Sequence, residues 1–260
     1  MNIKRHASAA ALVCAALLAG CSYDKNAVQT IDGPLPGSAV KFFNFGVNAP
    51  GVNFYANDTK ITAITSTTGA EVATGVAYGA AGTGGFYDAV APGQYTLTGR
   101  IAAVIDKDLA ISSLSAQLAD GKRYSYFMSG FYNTTTKTVE SFIVEDPLPA
   151  VDASVAYVRF VNAISNAGAT ALSAKHATTG VITPLGGDVA YKAAGGFVAL
   201  PPGTYDLSAR VSGAATDLVV RTAQSFANGR VYTIATRGDA TLPSTGTNAN
   251  RPQLDNTANR

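Results

Sequence analysis

The sequence predicts an all-β protein: two tandem copies of one antiparallel β-sandwich behind a short N-terminal export segment. Three observations carry that reading. A set of motifs occurs twice in the same order, short stretches alternate apolar and polar residues with period two, and no sustained 3.6-residue apolar stripe follows the first 21 residues. The composition agrees, with 26 Gly, 11 Pro and only 14% charged residues in a chain rich in Ala, Thr, Ser and Val. Small and β-branched residues punctuated by turn formers suit short strands better than helices.

The elements can be justified in chain order. Lys4 and Arg5 precede an apolar run, Ala9 to Ala19, which is shorter than the about 20 residues a spanning helix needs. The run ends in Leu18-Ala19-Gly20-Cys21. Charge, run and tetrad together resemble the signal and lipobox of bacterial lipoproteins. That resemblance implies cleavage before Cys21, acylation of its thiol and new amine, and a membrane partner held through those chains. Each buried methylene contributes about 0.8 kcal/mol, so two or three chains anchor stably where one does not. Ser22 stands where an Asp would favour inner-membrane retention, so the same resemblance implies the outer membrane of a cell envelope. Residues 1–20 are therefore the expected signal, and 21–37 the acylated Cys with a polar tether.

Loss of Lys4 and Arg5 with the signal leaves 17 basic against 17 acidic side chains. Near-neutrality without a basic run argues against nucleic acid and against an electrostatically held membrane surface. Cys14 and Cys21 both belong to the export segment, so the folded part is expected to hold no disulfide.

Next come the two copies. Val40-Lys41-Phe42-Phe43-Asn44 matches Val158-Arg159-Phe160-Val161-Asn162, and Val76-Ala77-Tyr78 with Gly84-Gly85-Phe86 matches Val189-Ala190-Tyr191 with Gly195-Gly196-Phe197. Ala91-Pro92-Gly93-Gln94-Tyr95-Thr96-Leu97 then matches Pro201-Pro202-Gly203-Thr204-Tyr205-Asp206-Leu207. Finally Leu118-Ala119-Asp120-Gly121-Lys122-Arg123-Tyr124 matches Phe226-Ala227-Asn228-Gly229-Arg230-Val231-Tyr232. Ordered matches at a sliding offset mark a duplicated domain with longer loops in the first copy. The expected boundaries are 38–146 and 155–240, a linker at 147–154, and a polar, disordered tail at 241–260.

Tyr95, Leu97 and Ile101 alternate with Gln94, Thr96, Thr98 and Arg100, and Tyr205, Leu207, Ala209 and Val211 do the same in the second copy. That pattern puts one face on a core and the other in water. The Pro-Gly before each strand suits a type II turn with Gly at positive φ. Gly121 to Tyr124 and Gly229 to Tyr232 resemble the tyrosine corner of immunoglobulin-like sandwiches, so each copy reads as roughly seven short strands in two packed immunoglobulin-like sheets.

The order VRFVNA, VAY, GGF, LPPGTYDL, NGRVYTI resembles the exported bacterial repeats known as domain of unknown function 4397. The resemblance covers about 38–146 and 155–238, with the second copy nearer the pattern, and implies tandem β-sandwiches in envelope proteins. It brings no catalytic residue, ligand or cofactor with it.

Chemistry-bearing residues are sparse. His176 is the one His after the signal, too few for a zinc site; any Ser-His-Asp triad would have to use it, and no nucleophile elbow is present. Gly79 to Gly85 lacks the Lys-Ser/Thr of a phosphate loop and suits a hairpin connection; Asp106-Lys107-Asp108 lacks the later ligands of a calcium loop and suits a solvated turn. Glu71, Glu140 and Glu145 sit in no recognisable motif. Aromatics cluster in the first copy, and Tyr124, Tyr126, Phe131 and Tyr132 are the candidate ligand-binding residues, since outward Tyr and Phe on a sheet can hold a sugar or a protein. The same residues also suit core and cross-strand packing. The expected function is a non-enzymatic, lipid-anchored envelope module that binds a protein or glycan or acts as a spacer. The alternative is an envelope polymer hydrolase, which needs two carboxylates roughly 5–10 Å apart in one cleft.

Overall fold

The computed structural model describes residues 37–62 and 73–260. Cys21, the signal, the tether before Gly37, and Glu71 lie outside the described residues. The first repeat contributes β1 (Ser38–Val47), β2 (Val52–Ala56), β3 (Thr59–Lys60), β4 (Ala80–Ala81), β5 (Asp88–Val90), β6 (Gly93–Ile101), β7 (Ala110–Leu118), β8 (Arg123–Asn133) and β9 (Thr138–Glu145). The second follows the same plan with β10 (Ala156–Asn162), β11 (Thr170–His176), β12 (Ile182–Pro184), β13 (Ala193–Ala194), β14 (Val198–Leu200), β15 (Gly203–Val211), β16 (Val219–Phe226), β17 (Val231–Arg237) and β18 (Gln253–Ala258).

Each repeat is a sandwich of a five-stranded and a four-stranded sheet. In the first, one sheet runs β4-β1-β8-β9 with β5 also on β1, and the other runs β3-β2-β6-β7. The second repeats this as β13-β10-β17-β18 with β14 on β10, and β12-β11-β15-β16. The immunoglobulin order places its first, second, fifth and fourth strands in one sheet. Here β1 instead leaves β2 for the opposite sheet and pairs in parallel with β8, from Ala39 opposite Arg123 to Val47 opposite Phe131. β10 pairs in parallel with β17 in the same way. A parallel pair needs a long crossover, and the other sheet of each sandwich supplies it.

That pairing makes β1 a central strand, covered on both faces. Val40 and Phe42 enter the first sandwich core with Phe54, Leu97, Ile111, Tyr126 and Met128. Val158 and Phe160 do the same in the second, beside Leu172, Tyr205, Leu207, Phe226 and Ile234. On the opposite face Phe43, Phe45, Phe127 and Phe142 meet Val161, Ala163 and Ala235 of the second repeat, forming a third core between the sandwiches. Phe127 stacks between Phe43 at 4.6 Å and Phe142 at 5.0 Å. Such offset ring pairs add about 0.5–1.5 kcal/mol each beyond their buried area.

The repeated motifs acquire roles. Asn44 donates its side-chain amide to the Pro50 and Val76 carbonyls at 3.1 and 2.9 Å, and Asn162 donates to Gly168 and Val189 at 3.4 and 3.0 Å. The buried Asn thus ties the end of the first strand to the Val-Ala-Tyr segment in each copy. Both tyrosine corners close: the Tyr124 hydroxyl accepts from the Ala119 N–H, and that of Tyr232 from the Ala227 N–H, each at 3.1 Å.

Two local expectations need correction. Residues 253–258, placed in a disordered tail, form β18, which pairs with β17 from Gln253 opposite Arg237 to Ala258 opposite Tyr232. Its polar residues are half-buried, while Leu254 enters the second core. The Pro-Gly glycines open β6 and β15, opposite Leu118 and Phe226, and they differ: Gly93 takes the expected positive φ, at 155°, whereas Gly203 does not. Gly203 is small for another reason: a Cβ there would lie 2.7 Å from His176 Nε2.

Candidate functional site

The four aromatics expected to bind a ligand separate into different environments. Tyr126 is fully buried, packed against Phe42 and Phe54, with its hydroxyl 3.0 Å from Ser112 Oγ. Tyr124 is buried as the corner residue. Neither can face a ligand, because β8 is the second central strand of its sheet and both of its faces are covered. Tyr132 is half-buried against the first core, and only Phe131, 43% exposed near the end of β8, faces out. The other exposed apolar side chains of this repeat include Val104 and Ile105 on the β6–β7 loop, which Lys137 ties to the β8–β9 turn through Asp106 at 2.6 Å.

The remaining candidates are structural. His176 ends β11, its Nδ1 accepts the Thr178 and Thr179 N–H groups at 3.2 Å, and its ring meets the Tyr205 ring edge-on. Asp106 and Asp108 occupy left-handed positions in a surface turn, with Asp108 accepting from the Tyr55 hydroxyl at 3.0 Å. The glycine-rich run holds β4 and a 3-10 turn in which Thr83 donates to Asp88. Glu140 and Glu145 pair with Lys192 and Lys122. Among the described residues no group of three or more His, Cys, Asp or Glu could hold a metal ion, and no helix is long and apolar enough to cross a membrane.

The most concentrated polar chemistry lies where the two repeats meet. Arg159 on β10 and Asp146 after β9 form an ion pair with side chains 1% and 0% exposed. Arg159 also donates to the Glu145 carbonyl at 2.9 Å and to Thr233 Oγ1 at 3.0 Å, while Asp146 accepts from Ser125 at 2.8 Å and Tyr87 at 2.6 Å. The other half is its counterpart. Lys41 on β1 donates to the Ala258 carbonyl and, at 3.0 Å, to Asn259 Oδ1, and Asn259 donates to Thr233 at 2.7 Å. Strand register makes the correspondence explicit: Lys41 stands opposite Ser125 as Arg159 stands opposite Thr233, and Asp146 and Asn259 each follow the end of the last strand. Each repeat therefore extends the cation of its first strand into the last strand of the other, around a pseudo-two-fold axis.

The Val-Ala-Tyr tyrosines obey the same symmetry. The Tyr191 hydroxyl sits 3.0 Å from Ser129 and donates to Glu140 at 2.9 Å, both in the first repeat. Tyr78 lies under Arg237 of the second repeat at 4.9 Å, and Gly79 permits that approach, since a Cβ there would lie 2.7 Å from Arg237 Cζ. Burial pushes the Lys41 ammonium down to about 8 and the Tyr87 phenol far above its ordinary value. The signal for this cluster was present in the sequence as a cation at the same place in two otherwise apolar strands, VKFFN and VRFVN. Its partners were not visible there.

No curated protein matches this chain. One solved structure it resembles comes from Bacteroides fragilis and is named as a candidate cell adhesion protein, at 9% identity over 86% of this chain and 98% of that one. The TM-score is 0.23, which carries no argument. The family comparison is specific. A model described as domain of unknown function, DUF4397, matches residues 38–173, spanning the first repeat and most of β10 and β11, and on that match over more than half of its length the chain belongs to the DUF4397 family.

Proposed function

We propose that this protein is a lipid-anchored component of a bacterial cell envelope whose paired sandwiches serve as a non-enzymatic binding or spacing module. The observation that carries the reading is the inter-repeat core. An aromatic cluster and two reciprocal buried clamps weld the repeats into one compact body, Pro36–Arg260, rather than two beads on a flexible linker. A body of that kind holds its outer sheets and loops at fixed distance and orientation, which suits presentation of a surface. The carboxylates support the same reading: Asp106, Glu140, Glu145, Asp146, Asp217 and Asp255 are each engaged by a cation. Acids so engaged serve ion pairs that hold the fold, and Glu140 is pulled below the usual carboxylate range by its bond to Lys192.

Anchoring is tested by Cys21→Ser. The wild-type chain should incorporate palmitate and sediment with membranes, and the variant should do neither; a variant that still sediments would sink the lipid-anchor reading. Binding is tested by immobilising the purified chain and exposing it to cross-linked envelope extract and to isolated glycans. Saturable enrichment of one protein or one glycan supports a binding module, and no enrichment leaves a spacer.

A further inference from the structure

The second repeat carries one connection much longer than its counterpart in the first. Four residues, Thr134–Lys137, join β8 to β9, whereas fifteen, Gly238–Pro252, join β17 to β18. Connections of that length without strands or helices are uncommon in compact domains and are often functional. This one is pinned as a wall. Asp239 accepts from the Asn166 amide at 2.7 Å, the Ala240 N–H donates back to Asn166 at 3.0 Å, and the Asp239 N–H donates to the Asn250 carbonyl at 2.8 Å. The Asn250 side chain in turn donates to Asn48 of the first repeat at 2.7 Å.

The wall stands beside β16, the edge strand of its sheet, and encloses with it an open cleft of about 310 Å³. Arg221, Ser244, Arg251, Gln253 and Asp255 contribute its polar lining. A second hollow of about 330 Å³ adjoins it, with Ser244 lining both. Arg221 is held by a 2.6 Å donation to the Leu254 carbonyl, and Arg251 by one of 3.1 Å to the Asn248 carbonyl. The acid in the lining, Asp255, is already taken by Arg237 at 2.5 Å. Two guanidinium groups are thus fixed by backbone carbonyls, and neither forms a close ion pair with a carboxylate among the described residues, although Asp255 in the lining attracts Arg221.

We propose that this cleft binds an acidic polysaccharide, with Arg221 and Arg251 each pairing with a carboxylate of the chain and Ser244 and Gln253 bonding its hydroxyls. Guanidinium and carboxylate match as planar, two-pronged partners, and pre-held donors lose little entropy on binding. An acidic peptide added as a strand on β16 is the less suitable occupant. The β15–β16 register shifts between Tyr205 and Leu207, and Ala223 at φ 57° kinks the edge just after Arg221. Only a short stretch of that edge keeps the regular spacing a pairing strand requires. This inference deepens the binding role proposed above and rests on it.

The test titrates the purified full chain with polygalacturonate, neutral dextran and poly-L-glutamate. Polygalacturonate should bind and dextran should not. Arg221→Gln and Arg251→Gln should each weaken binding about tenfold, the loss expected for one charge-assisted pair, with the native circular dichroism spectrum retained. Ser244→Trp, a loop substitution that fills the cleft without touching either arginine's anchor, should also abolish binding. Absence of polygalacturonate binding, or unaltered binding in the double Arg variant, overturns the proposal. Equal or tighter binding of poly-L-glutamate overturns the polysaccharide assignment in favour of an acidic peptide. Failure here alongside enrichment of another partner from envelope extract would refute this site and leave the broader binding reading standing.

Discussion

Asp146→Asn is the sharpest probe of how the two repeats are held. The substitution keeps the shape of the side chain and removes the carboxylate paired with Arg159, whose side chain is 1% exposed. Arg159 would retain its bonds to the Glu145 carbonyl and to Thr233, but no counter-charge. Breaking a buried pair by removing one partner costs about 3–5 kcal/mol, because the remaining charge cannot reach water. A domain of this size loses about 2–4 °C in melting temperature per kcal/mol, so a fall of about 10 °C is expected. Asp146 also attracts the buried Lys41 ammonium, so the substitution withdraws counter-charge from both clamps. Asp146→Asn combined with Arg159→Gln, which removes the stranded charge as well, should recover part of the loss, with a coupling energy of about 1–3 kcal/mol. Urea unfolding followed by tyrosine fluorescence and far-ultraviolet circular dichroism gives all four corners of the cycle. A single-variant cost below about 1 kcal/mol, or no coupling, would refute the clamp as an energetic unit.

Three further outcomes follow from the same structure. Deleting Gln253–Arg260 removes β18, Leu254 from the second core and the Asn259 acceptor of Lys41, so the second sandwich should lose cooperative unfolding in a urea titration, whereas a free tail could be removed without cost. Gly203→Ala drives a Cβ against His176 and should destabilise by about 1–3 kcal/mol, with His176→Ala in the same chain restoring part of the melting temperature. Burial pushes the Asp88 carboxyl from 3.8 up to about 6, so between those values the folded chain holds a proton that the unfolded chain has released. Stability should therefore fall as pH rises from about 4 to about 6 and then level, and Asp88→Asn should flatten that step in a series of urea midpoints.

The sequence was informative wherever a signal is short in range. Period-two alternation in Gln94–Ile101 and Gly203–Val211 identified β6 and β15, because neighbouring side chains of a strand point to opposite faces whatever lies beyond them. The Gly-x-x-Tyr segments identified both corners, since the Tyr124 and Tyr232 hydroxyls reach backbone five residues away. The candidate binding aromatics misled for the complementary reason. Alternation assigns Tyr126 and Phe127 to opposite faces of β8, but only the packed structure shows that one face meets the first core and the other meets the second repeat. Low polarity in β1 and β8 suits a strand covered on both sides and equally an exposed aromatic face.

Local patterning thus determined that this chain is β, duplicated and poor in catalytic groups, since composition, turn chemistry and repeat order survive without knowledge of what is near what. Tertiary structure decided the parallel pairing of β1 with β8, the recruitment of β18 from a polar tail, and the meeting of Lys41 with Asn259 across 218 residues of chain. Those features depend on which covered face finds which partner. That choice is made by the free energy of burying apolar rings and satisfying buried charges together, and no short window of sequence contains both sides of it.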